Sequence, residues 1–195
     1  IESMYEHIEF KNAINMRKAN YDKFPSTKLT GMLVQGWDSI ISMLKEKMDA
    51  RKVLAVDLYT GVYEEEVLDA FSKEFSGRVM NVRDLMKPEK EIQALTERFM
   101  TEDVLFGYVT NLKLEDYLDV DKVAAARKQI SEAKETIVII GTGAAVVAPQ
   151  DAMVVYADMA RWEIQQRFRR HEVKALGIDN RNDAVSLQYK RGYFN

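Results

Sequence analysis

The chain has no cysteine, which excludes disulfides, thiolate metal sites and a cysteine nucleophile together. Histidine is almost as scarce: His7 and His171 are the only two, and a histidine-rich zinc site needs more. No apolar run approaches the roughly 20 residues of a membrane span. The first twenty residues also lack the continuous apolar core of a secretory signal, so the expected location is the cytoplasm. A surplus of positive charge is missing as well. The net charge is −3 and the isoelectric point about 5.6, whereas a general nucleic-acid binder needs a basic surface to neutralise phosphates. The first residue is Ile1 rather than methionine, which fits a piece of something longer.

What is present is enough for a core. With 195 residues and 47% apolar content, the expectation is one globular domain with an arm or tail. The most informative stretch is Val53-Leu54-Ala55-Val56-Asp57-Leu58-Tyr59-Thr60-Gly61-Val62-Tyr63. A valine-rich run meets an aspartate, a turn with one glycine follows, and an amphipathic helix begins with Glu64, Glu65 and Glu66. This is the opening of a βα unit whose strand is buried on both faces. A nucleotide kinase would hold phosphate at such a turn on backbone N–H groups, with a loop reading G-x-x-x-x-G-K-[ST]. Here Val56 stands where the first glycine belongs, and Val62 and Tyr63 replace the lysine and the hydroxyl residue. The three glutamates suit a helix start and would repel a triphosphate. The layout of a phosphate site is present without its chemistry.

Along the chain, residues 1–35 read as an N-terminal arm. Tyr5, Ile8, Asn12, Asn15 and Met16 suggest a short helix, and Tyr21 with Phe24, held extended by Pro25, suggests an anchor on the domain surface. Trp37, Ile40, Ile41, Leu44 and Met48 mark one face of a helix. Strands are expected at Val53–Asp57, Arg78–Asp84, Val104–Val109, Thr136–Ile140 and Met153–Asp158, with the first and fourth of these adjacent at the centre. Pro88 opens a helix through Ile92, Leu95 and Phe99, Leu114–Leu118 forms a helical turn, and Asp119 or Asp121 caps a helix striped by Val123, Ala126, Ile130 and Ala133. A basic helix follows Asp158, with Ala160, Ile164 and Phe168 facing inward and Arg167, Arg170 and Lys174 more exposed. Strands alternating with helices predict a three-layer α/β domain with a mainly parallel sheet of about five strands, spanning residues 36–172. Residues 173–195 then read as a lid-like segment and a lead into a further domain.

In such sheets ligands bind outside the carboxyl ends of the strands. Asp57, Gly61, Asp84, Gly141, Gly143 and Asp158 all stand at such ends and are expected to converge on one crevice. The candidate ligand-binding set is Asp57, Gly61, Gly141, Gly143, Asp158, Arg161, Arg167 and Arg170. Each has a plainer reading beside it. Gly141-Thr142-Gly143 lacks the third glycine of a dinucleotide fingerprint and suits a tight turn needing positive φ. Asp57 and Asp158 suit acid/base or metal-bridging roles and equally suit turns and caps. The arginines suit a phosphate and equally a solvated face with carboxylate partners.

The order of these parts resembles a P-loop kinase of the uridine-kinase type: strand, phosphate turn, helix, a strand ending in glycine, a strand ending in aspartate, then an arginine-rich helix with a lid through Arg170, Asp179 and Arg181. A closer resemblance is to the long form of class I phosphomannose isomerase, in which a degenerate kinase-like domain precedes a zinc-dependent cupin. The stretches that carry it are Asn20-Tyr21-Asp22-Lys23-Phe24-Pro25, Asp57-Leu58-Tyr59-Thr60-Gly61-Val62, Leu114-Glu115-Asp116-Tyr117, Tyr156-Ala157-Asp158-Met159-Ala160-Arg161-Trp162-Glu163-Ile164-Gln165 and Tyr189-Lys190-Arg191-Gly192-Tyr193-Phe194. The resemblance implies a parent protein that interconverts mannose 6-phosphate and fructose 6-phosphate, with zinc in a cupin beyond Asn195 and no cofactor here. It implies that this chain is a non-catalytic module binding or positioning a sugar phosphate, another small anion or the attached cupin. Two alternatives stand beside it: a phosphotransferase using Arg161, Arg167 and Arg170 in place of the lysine, and a structural module for oligomerisation. No nucleic-acid or membrane partner is expected.

Overall fold

A computed structural model describes residues 21–22, 25–28 and 30–194. The expected helix at Tyr5–Met16 and the anchor residue Phe24 lie outside them, while Tyr21 is exposed. The chain divides into two units, 1–33 and 34–195. Four strands of the second unit, β1 (Val53–Leu58), β2 (Arg78–Asn81), β3 (Ile137–Gly141) and β4 (Met153–Ala157), form one parallel sheet in the order β2-β3-β1-β4. The two apolar runs read as central strands are adjacent, in the register Val53↔Ile137 to Asp57↔Gly141.

Helices cover both faces because both faces of β1 and β3 are apolar. On one face Leu54, Val56, Leu58, Val138 and Ile140 pack against α1 (Trp37–Met48) and α2 (Glu64–Glu74). On the other, Val53, Ala55, Ile137 and Ile139 pack against α3 (Glu89–Met100), α5 (Val120–Glu132) and α6 (Ala144–Val147). Ile137, Ile139 and Ile140 are at most 1% exposed, and each such side chain stabilises the fold by about 1.5–3 kcal/mol of hydrophobic transfer. Trp37 meets Phe71 edge-on at 6.3 Å, and its indole N–H donates to Glu66 at 2.9 Å. Pro88 stands at the start of α3, and α4 (Leu114–Tyr117) is the expected helical turn. The Asp119 carboxylate caps α5, accepting from the N–H groups of Asp121 and Lys122. After β4 come α7 (Arg161–Arg169) and α8 (Val185–Phe194).

Three expectations need correction. The sheet has four strands, not about five, because residues 104–109 form an exposed loop. The Asp103 carboxylate accepts from the N–H groups of Leu105 and Phe106, and the Thr101 hydroxyl donates to the Phe106 carbonyl. Backbone groups satisfied locally have no need of a strand neighbour. Secondly, β2 ends at Asn81, whose side chain accepts from the Arg83 N–H and starts a 3-10 turn over Val82–Leu85. That turn carries Asp84 to the surface. Thirdly, Ala160 is the exposed cap before α7 rather than an inward residue, while Ile164 and Phe168 are buried as expected.

Candidate functional site

β1 and β3 are neighbours, yet the helices that follow them, α2 and α6, lie on opposite faces of the sheet. That divergence is the switch point at which parallel sheets open a crevice. A hollow of about 50 Å³ lies there, lined among others by Thr60, Gly61, Tyr63, Arg83, Thr142 and Lys174. Ligand pockets commonly run to about 300–1,000 Å³, so this hollow is small beside them. A larger hollow of about 540 Å³ lies at the opposite ends of β1 and β3, rimmed by Arg51, Lys52, Arg127, Glu135 and Asp151. Its charges are mixed, and Arg127 already donates to the carbonyls of Val146 and Val147.

The structure brings only part of the expected set to the crevice. Gly61 and Gly141 line it, with Thr142 between the two strands' turns. Gly61 has φ +91°, and a Cβ there would lie 3.0 Å from Ile164 of α7; at Gly141, with φ +136°, it would lie 2.8 Å from Val82. Both glycines therefore serve close packing as well as an unusual backbone. Gly143 caps the short α6 in the left-handed region.

Asp57 is occupied. Its two carboxylate oxygens accept from the N–H groups of Gly143 at 3.0 Å and Ala145 at 2.9 Å, while the Thr142 hydroxyl donates to the Leu58 carbonyl at 2.8 Å. Of its two sequence readings, the geometry gives Asp57 the part of a cap that ties the β3 turn to β1. Asp158 is exposed, and its carboxylate accepts from the next N–H, that of Met159.

The arginines do not converge on the crevice either. Arg161 lies over the Tyr193 ring at 4.2 Å. The Arg167 guanidinium stacks on Tyr63 at 3.6 Å, donates to the Gly61 carbonyl at 2.7 Å and pairs with Glu163 at 3.2 Å. Arg170 bridges Glu163 at 3.0 Å and Glu172 at 2.8 Å, and the Tyr63 hydroxyl completes the network by donating to Glu172 at 2.5 Å. Arg170, then the Tyr63 hydroxyl, holds the Glu172 carboxyl down at about 2. Arg170 and Arg167 likewise depress Glu163. Arg170 itself is pushed up by the same partners. The turn that resembles a phosphate loop is thus closed by an ion-pair cluster, and its own Val62 N–H bonds back to the Tyr59 carbonyl at 3.2 Å.

The cations that do line the hollow are Arg83 and Lys174, and neither was in the expected set. Arg83 follows β2 in a turn that no strand pattern reveals, and Lys174 lies beyond the end of α7. Each has a carboxylate from the first turn of α2: Arg83 pairs with Glu64 and Lys174 with Glu65, both at 3.1 Å. A backbone hydrogen bond at its own N–H, aided by Lys174, lowers the Glu65 carboxyl. With Glu66 accepting from Trp37, all three glutamates of the helix start have partners. Among the described residues there is no cluster of three or more His, Asp or Glu side chains able to hold a metal, and no helix long and apolar enough to cross a membrane.

Comparison with known proteins gives a family match. A family profile described as a domain of unknown function, DUF8485, covers residues 36–195, the stretch that begins at the start of α1 and holds the whole sheet and crevice. No curated protein matches the chain, and no solved structure does. The four-stranded parallel domain with its ion-paired crevice is therefore that family's domain, and the chain belongs to DUF8485.

Proposed function

We propose that the chain is a non-catalytic, P-loop kinase-like module that positions an attached domain, within a parent protein of the phosphomannose isomerase kind that the sequence resembles. The observation that carries this reading is the engagement of the cations in and around the crevice: Arg83 and Lys174 line it, and Arg167 and Arg170 belong to the ion-pair cluster beside it. Arg83, Arg167, Arg170 and Lys174 each have a carboxylate partner within the chain. A phosphate entering the hollow has to displace one of these glutamates, whereas a working phosphoryl-transfer site keeps cationic and N–H donors free for the transferred group. The phosphotransferase alternative loses support for the same reason, since the arginines it needs stack on tyrosines or bridge Glu163 and Glu172. The partner in this reading is a cupin that brings its own zinc, and the compartment is the cytoplasm.

A second reading has one observation in its favour, the polar hollow itself. There the phosphoryl group of a sugar phosphate lies between Arg83 and Lys174, and the sugar stays at the mouth. Calorimetric titration of ATP with Mg²⁺, and of mannose 6-phosphate, separates the readings. The positioning role expects no saturable heat from either. Micromolar ATP affinity overturns it. Saturable, salt-sensitive binding of mannose 6-phosphate that Lys174→Ala abolishes establishes the second reading instead.

A further inference from the structure

The segment Val104-Leu105-Phe106-Gly107-Tyr108-Val109 carries no charge, and its five large side chains are 62–75% exposed. Scattered apolar residues on a surface are ordinary, but a contiguous patch marks an interaction site. This one is held in shape from beneath. Lys190 of α8 is only 2% exposed, and its ammonium donates to the carbonyls of Thr101 and Asp103 and to the Thr101 hydroxyl. Asp103 in turn accepts from two N–H groups of the loop, and the Tyr108 N–H donates to the Phe99 carbonyl at 2.8 Å. A buried lysine costs stability unless it is fully hydrogen-bonded. Here that expensive group rigidifies a loop whose outward face is apolar, and rigid presentation lowers the entropic cost of association.

We propose that this loop is the contact surface through which the chain pairs with a second copy of itself. The N–H groups of Leu105, Phe106 and Tyr108 and the Phe106 carbonyl are already used internally, and the side chains the loop presents are largely apolar. The surface that fits is an equally apolar one, and a two-fold-related copy necessarily supplies it. Two aromatic side chains of about 150–250 Å² each and three aliphatic ones, all roughly two-thirds exposed, offer at most roughly 600 Å² per copy when fully covered. Doubled, that reaches the lower end of the roughly 1,200–2,000 Å² of standard interfaces.

Sedimentation equilibrium from low micromolar to submillimolar chain concentration tests this. The wild type is expected to show a monomer–dimer equilibrium, and Phe106→Asp to weaken it about thirty-fold or more, the scale of an interface hot spot. Val109→Asp serves as a second disruptor, and circular dichroism with a melting scan shows that each variant is folded. Tyr156→Asp, on the exposed face of β4, is expected to leave the dimer intact. A wild type that stays monomeric throughout overturns the proposal. So does a dimer that survives both loop variants or falls apart with Tyr156→Asp, or a monomer that pellets with phosphatidylcholine vesicles.

Discussion

If Asp57 is a cap, replacing it costs stability by an amount that follows from its two bonds. The Gly143 N–H it accepts from is part-buried, so losing that bond forfeits a charged hydrogen bond in full, about 1.5–3 kcal/mol. The Ala145 N–H is exposed, and water replaces the carboxylate there at a small cost. Asp57→Ala is therefore expected to destabilise by about 2–3 kcal/mol, which in a domain of this size lowers the melting temperature by roughly 4–12 °C. Asp57→Asn is expected to fall between alanine and wild type, because one amide oxygen keeps a single N–H and the amide NH₂ opposes the other. Urea denaturation measures the loss, with an unchanged m-value showing that the unfolding reaction is the same. Amide exchange at Gly143 and Ala145 localises it, since the tether at Thr142 remains. Should Asp57→Ala change stability by less than about 0.5 kcal/mol, the usual scatter of a neutral surface substitution, the capping argument fails and a functional reason for the carboxylate has to be sought.

Two further outcomes follow from the crevice. Gly141→Ala places a Cβ 2.8 Å from the Val82 Cβ at a φ of +136°, so a loss of about 2–4 kcal/mol is expected; Val82→Ala keeps that Cβ and should recover little of it, whereas Val82→Gly, which removes it, should show a favourable coupling in a double-mutant cycle. Glu172 and Glu163 have folded-state pKa values below the ordinary glutamate value of 4.5, Glu172 at about 2. A depressed carboxyl contributes stability that is present above its unfolded value and lost as pH falls through its folded value. Stability is thus expected to decline between about pH 4.5 and pH 2, and Glu172→Gln to flatten that decline in a pH series of chemical denaturation.

The division between sequence and structure can be read residue by residue. Strands β1 and β3 were legible because a strand buried on both faces needs an unbroken apolar run, and Val53–Val56 and Ile137–Ile140 provide one. Helices α1, α3 and α5 were legible from a periodicity that any amphipathic helix must have, and the cap at Asp119 from the chemistry of its carboxylate. The loop at 104–109 was not, because its composition is that of a strand, and only the distant Lys190 and the local Asp103 and Thr101 decide otherwise. The site followed the same rule. Sequence position alone places Gly61 and Gly141 at strand ends, and the parallel order brings those ends together. Whether a charge is free is a tertiary matter. Arg167 is equally basic on any helix; here Tyr63, Gly61 and Glu163, supplied from two elements, take up its guanidinium. Glu64 and Glu65 read as a helix start and are also the partners of Arg83 and Lys174, from segments 19 and 109 residues away. Local pattern decides where backbone runs, since it depends on neighbours along the chain. Pairing across the fold decides what a side chain can still bind, because that depends on groups the chain brings together only when it is folded.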